Sequence, residues 1–170
     1  SKTDHDELCG GLGDLGLHDF MPDPRKPLSL LKEALGLTFD AGCYLIRPLA
    51  SKDGYAVVKE EKGKDENQYE HIGSATVSDD DRISTSCLSY EDEEKIKLHY
   101  RDVSGHVTGS QVTQTLLKIL TRLGGVTLRP SGAVYWLPLE SLPEWEHVVK
   151  VVENAACKGE AMVHVMQVTF

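Results

Sequence analysis

The stretch Gln111-Val112-Thr113-Gln114-Thr115-Leu116-Leu117-Lys118-Ile119-Leu120-Thr121-Arg122-Leu123-Gly124-Gly125, running into Val126-Thr127-Leu128-Arg129-Pro130-Ser131-Gly132-Ala133-Val134-Tyr135-Trp136-Leu137-Pro138, decides the fold class. Val112, Leu116, Ile119, Leu120 and Leu123 recur at helical spacing, Thr108 or Ser110 can cap the start, and the glycine pair stops the run. Residues 126–130 and 133–138 then read as two strands joined across Ser131-Gly132. A helix feeding a hairpin points to an α+β domain.

Downstream, Ser141-Leu142-Pro143-Glu144 has the form of a capping box with proline in the first turn. It opens a helix in which Trp145, Val148, Val149, Val152 and Ala156 face one way, Lys158-Gly159 closes it, and a last strand starts at Ala161. That strand stops abruptly after Val163, Val165 and Phe170 without a charged guard, so an unpaired edge and a homodimer are expected, as is excision of the domain from a longer chain. Upstream, Pro27 can open a helix with Leu28, Leu31, Ala34 and Leu35 on one stripe and Gly36 as its stop. Strands follow at 43–49 and 54–60 around the Asp53-Gly54 turn signal, and a third at 68–77. Between 79 and 101 two patterns compete. Ile96, Leu98 and Tyr100 alternate as in a strand, whereas Ile96, Tyr100 and Val103 fit one helix face; strand is the reading adopted. Residues 1–26, with Gly10, Gly11, Gly13, Gly16, Pro22 and Pro24, read as a flexible lead-in to a single domain over 27–170.

The order Leu30-Leu31-Lys32, Gly42, Arg47-Pro48, Gly54 is echoed by Leu116-Leu117-Lys118, Gly125, Arg129-Pro130, Gly132. The expected fold is therefore α+β with two related helix-hairpin units feeding one mixed or mainly antiparallel sheet, and with about three helices, 28–35, 110–123 and 142–157.

Lys plus Arg is 18 against 27 Asp plus Glu, a formal charge of −9, which argues against a surface that neutralises phosphates. Residues 51–102 alone carry 14 acids and 8 bases; Asp79-Asp80-Asp81 and Glu91-Asp92-Glu93-Glu94 read as solvated turns at strand ends, without calcium-loop spacing. No apolar run approaches the roughly 20 residues of a membrane span, and the polar opening residues are unlike a signal peptide. Cys9, Cys43, Cys87 and Cys157 form no close pair, so neither a zinc knuckle nor a redox dithiol is expected, and a cytoplasmic protein is.

Gly11-Leu12-Gly13-Asp14-Leu15-Gly16 matches the dinucleotide fingerprint as a string but has no strand feeding it. Glu144 and His147 have di-iron spacing in one copy only, and the seven histidines are scattered. No catalytic set converges, and no cofactor or metal is expected.

The most specific cluster is 128–138. Arg47 and Arg129 occupy like places in the two hairpins, where a guanidinium can grip a carboxylate or phosphate, or tie its hairpin to neighbouring acids. Tyr135 and Trp136 point to opposite faces of one strand, which puts one in the core and leaves the other for solvent. The candidate binding residues are Arg47, Arg129, Tyr135 and Trp136. Here the chain resembles an uncharacterised bacterial family marked by an Arg-x-x-Gly-Gly-Val-Tyr-Trp-Val/Leu-Pro segment and a following tryptophan-bearing helix, with Ala133 in place of the second glycine. The resemblance implies a fragment of a longer protein and brings no activity.

Together these readings favour a non-catalytic binding or assembly domain of a bacterial cytoplasmic protein, with another protein or the rest of its own chain as partner. A nucleic-acid role would use Arg47, Lys118, Arg122 and Arg129 with an exposed Tyr135 or Trp136, yet 103–170 carries 5 acids and 5 bases, no basic field. An enzyme with an unrecognised site is the remaining class.

Overall fold

A computed structural model describes residues 2–63, 66–129, 134–156 and 163–164. The chain divides into two compact units, one formed by 1–23 with 105–170, the other by 24–104. Each has its own apolar core.

The discontinuous unit starts with β1 (Lys2–Asp4) and α1 (His5–Asp14). After the inserted residues it continues with β6 (His106–Thr108), α4 (Gly109–Arg122), β7 (Val126–Thr127), β8 (Tyr135–Trp136) and α5 (Leu142–Ala155). β1 pairs antiparallel with β6 and β7 with β8, giving two separate two-stranded sheets. Leu8, Leu12 and Leu17 from the N-terminal part meet Val112, Ile119 and Leu120 of α4 and Trp145, Val148, Val149 and Val152 of α5 in one core. Thr108 caps α4 by accepting from the Gln111 N–H, while Gln111 Oε1 reaches back to the Thr108 N–H, a complete capping box. At α5 the expected box is not made. The Ser141 hydroxyl donates instead to the Leu123 carbonyl, 2.9 Å away, tying the end of α4 to the start of α5, with Pro143 in the first turn.

The inserted unit holds α2 (Pro27–Thr38), then β2 (Tyr44–Pro48), β3 (Gly54–Lys62), β4 (Asn67–Val77) and β5 (Ile83–Ser86) in a four-stranded antiparallel sheet in sequence order, and α3 (Tyr90–Ser104). A bulge at Val57/Val58 shifts the β3–β4 register. Leu31, Ala34 and Leu35 of α2 and Ile96, Tyr100 and Val103 of α3 pack with Val57, Ala75 and Val77 of the sheet. α2 runs through Gly36 and ends two residues later. Arg25, just ahead of α2, donates to the Val103 carbonyl near the end of α3 and pairs with Glu33 midway along α2.

Two features correct the expected fold. The described residues hold five α-helices and three sheets, where about three helices on one sheet were expected. The two additional helices are α1, on residues read as lead-in, and α3, on residues read as strand. α1 forms because Asp4 accepts from the Glu7 N–H and Leu8 and Leu12, four apart, are fully buried. In α3 the deciding residue is Leu98, which is exposed while Ile96, Tyr100 and Val103 are buried, the spacing of a helix face. Glu91-Asp92-Glu93 then sits where a helix dipole favours acids, Ser89 accepts from the Asp92 N–H, and Lys95–Glu91 and Lys97–Glu93 are i,i+4 ion pairs, so this acidic run is a helix start and not a turn. The hairpins 44–62 and 126–136 each follow a helix but enter different sheets. The last expected strand, with its edge at Val165 and Phe170, lies outside the described residues.

α1 meets α5 at Gly11, where an added Cβ would stand 2.6 Å from Val151 Cγ1. Gly11→Ala is therefore expected to destabilise the chain by about 1–3 kcal/mol in denaturant unfolding, although alanine is the better helix former, and Val151→Ala should recover most of that loss. In the inserted unit the Tyr100 hydroxyl donates to Asp81 Oδ1 at 2.6 Å. Burial first, then this hydrogen bond and the charge of Asp81, push the phenol well above its ordinary range. A folded state that holds the proton more tightly keeps this stability in full below the unfolded phenol value, near 10, and loses it as pH rises towards the folded value. Thermal unfolding of the wild type should show that alkaline loss, and Tyr100→Phe should remove the part of it due to this group.

Candidate protein-interaction surface

Gly124, at φ 80°, and Gly125 end α4 and turn the chain into β7. Val126 lies opposite Trp136 and Thr127 opposite Tyr135, and the Leu128 N–H donates to the Val134 carbonyl at 3.0 Å, extending the pairing by one step. Residues opposite one another share a face and neighbours along a strand alternate, so Val126, Leu128, Val134 and Trp136 lie on one face and Thr127 and Tyr135 on the other. On the inner face Tyr135 is half-buried and packs, with Leu137, against the core of its unit, while Thr127 is exposed. All four residues of the outer face are exposed, at 53%, 59%, 44% and 45%. Single exposed apolar residues are ordinary, whereas these four are neighbours on a two-stranded ribbon and form one exposed apolar patch.

The sequence-derived candidates are thus only partly brought together. Tyr135 and Trp136 take opposite faces of β8, the first towards the core and the second towards solvent. Arg129 is exposed just past β7, on the strand that bears Leu128, and the turn residues 130–133 lie outside the described ones. Arg47 belongs to the other unit, exposed on the edge strand β2 opposite Ala56. Neither arginine has an ion pair or side-chain hydrogen bond among the described residues. Of the other cations weighed for nucleic acid, Arg122 is exposed, with its guanidinium 5.5 Å from the centre of the Phe20 ring. The Gly11–Gly16 string lies in α1 and the turn after it, not between a strand and a phosphate-presenting helix.

Sequence reasoning missed a group in the first turns of α1. His5 Nδ1 lies 3.1 Å from Asp6 Oδ1 and His5 Nε2 lies 3.6 Å from Cys9 Sγ. The spacing His-Asp-x-x-Cys carries the signal, but only on a helix does it bring residues 5 and 9 onto one side. Among the described residues no group of three or more His, Cys, Asp or Glu side chains could hold a metal ion, and no helix is long and apolar enough to cross a membrane.

No curated protein and no solved structure matches the chain. A model of a family of unknown function, DUF6744, matches residues 2–165. That span takes in both units, the β1–β6 pairing and the hairpin with its exposed face, and the chain belongs to this family.

Proposed function

We propose that this chain is a non-catalytic binding or assembly domain of a bacterial cytoplasmic protein, and that it meets its protein partner, or another part of its own longer chain, through the outer face of the β7–β8 hairpin. The observation that carries the reading is the row Val126, Leu128, Val134 and Trp136, apolar and exposed on one side of a ribbon whose other side is anchored by Tyr135. Binding energy concentrates in aromatic anchors ringed by apolar neighbours, and Trp136 among three aliphatic side chains has that composition. A formal charge of −9 weighs against nucleic acid as the partner. Cys9, Cys43 and Cys87 are free thiols, in keeping with a reducing compartment.

The test is affinity capture with the full chain and with variants, followed by titration of the captured partner. Trp136→Ala is expected to weaken binding roughly thirtyfold, the cost of about 2 kcal/mol at an interface anchor, and Leu128→Asp to abolish it. Tyr90→Ser and Leu98→Ser, which alter exposed apolar residues on α3, should leave it unchanged. Equal affinity of the wild type and the two hairpin variants would sink the proposal.

A further inference from the structure

The start of α1 is held from two sides. Asp4 accepts from the Glu7 N–H, and the His5 N–H donates to the Gly105 carbonyl at 3.0 Å. The backbone that carries His5 is therefore fixed, and the imidazole lies between two groups of different chemistry, the Asp6 carboxylate at Nδ1 and the Cys9 thiol at Nε2. With Asp6 accepting the Nδ1 proton, the Nε2 lone pair is left facing the sulfur, which is how a base is arranged beside a nucleophile. Cys9 and His5 are half-buried and Asp6 is exposed. A Cβ at the neighbouring Gly10 would meet nothing within 4 Å, so the helix surface is open on that side, and Cys9 itself is partly exposed. Cys43 and Cys87 are exposed, and the sulfur of Cys87 lies 3.7 Å from the Ser86 hydroxyl.

We propose that Cys9 is a base-assisted modification site that forms a mixed disulfide with small neutral or cationic disulfides, with His5 as its base and Asp6 as the positioning residue for His5. The Sγ proton passes to His5 Nε2 as Sγ bonds to one sulfur of the reagent, and the reagent's S–S bond breaks. The leaving thiolate takes the proton from His5 and departs as a thiol. Cys9 sulfur is oxidised, one half of the reagent is reduced, and no further oxidant is needed. The reaction is stoichiometric, so it stands beside the binding reading without making the chain an enzyme. Burial, and secondarily the charge of Asp6, raise the thiol above its ordinary range, which works against the free thiolate and leaves the reaction to proton removal by His5. Asp6 puts negative charge at the site and disfavours an anionic reagent such as oxidised glutathione.

The experiment follows each cysteine of the full chain, carrying Cys157→Ser, by mass spectrometry near neutral pH with three probes: 2-hydroxyethyl disulfide, cystamine and oxidised glutathione. Cys9 is expected to react faster than Cys43 and Cys87 with the neutral and cationic probes. Its advantage for cystamine over oxidised glutathione should shrink as salt is added. His5→Gln should slow Cys9 by about tenfold or more and leave Cys43 and Cys87 unchanged, and free imidazole should restore part of the rate in His5→Ala. Asp6→Ala should slow it too, whereas Asp6→Asn, whose amide oxygen still accepts from Nδ1, should recover the rate with the neutral probe. A Cys9 rate indifferent to His5→Gln, or one below that of Cys43, would overturn the proposal.

Discussion

The three-residue pairing of Lys2–Asp4 with His106–Thr108 is the constraint on which the discontinuous unit rests. Its members face each other as Lys2 with Thr108, Thr3 with Val107 and Asp4 with His106, and Thr3 also bridges to Ala156 just past α5. So short a ladder is weak alone. It acts because each end continues at once into something else: Asp4 is both the last residue of β1 and the cap of α1, and Thr108 is both the last residue of β6 and the cap of α4. One pairing thus sets the origin of two helices. It also closes the chain around residues 24–104, and Gln111 adds a bond to the Asp23 carbonyl at 2.9 Å, next to the point where the chain leaves the unit. Since the inserted residues have a core of their own, their ordering does not fall on this ladder alone.

How much of this was legible depended on whether a segment's own periodicity was unambiguous. α4 carries a clean 3.6-residue stripe, a side-chain cap and a glycine pair, and α5 a stripe of tryptophan and valines; both lie within two residues of the expected bounds. α3 was misread because Leu98 completes an alternation with Ile96 and Tyr100, and only tertiary packing shows that it points away from the core. α1 was hidden by composition. Three glycines within ten residues suggest a linker, yet Gly11 is required by the close approach of Val151, and the energy that holds the helix comes from α5 rather than from its propensity. Pairings between distant segments, such as β1 with β6, leave no trace in local pattern, and with them went the division into two units.

The candidate site shows the same boundary. That Tyr135 and Trp136 must take opposite faces follows from strand geometry; which of them turns inward is set by the core of α4 and α5 beneath the hairpin. The likeness between Arg47 and Arg129 was a likeness of sequence context, and the structure puts them in separate units, one on an edge strand and one beside a turn. The His5–Asp6–Cys9 group was out of reach for a different reason. Its spacing has meaning only once residues 5–14 are helical, and helicity there is decided by contacts made more than a hundred residues away.

The exposed hairpin face and the brevity of its ladder belong to one physical argument. A two-stranded ribbon with two paired residues on each strand is marginal by itself, and this one is held from below by Tyr135 and at its root by the turn at Gly124. Because the two faces alternate and do not share side chains, charged or polar residues in place of Val126, Leu128, Val134 and Trp136 would leave the inner anchoring by Tyr135 in place. In the isolated chain that face contributes the cross-strand pair of Val126 with Trp136 and otherwise stays in water. A partner that buries it would stabilise the bound state and, by adding contacts to both strands, order the ribbon further, so binding and ordering of the hairpin are coupled in sign.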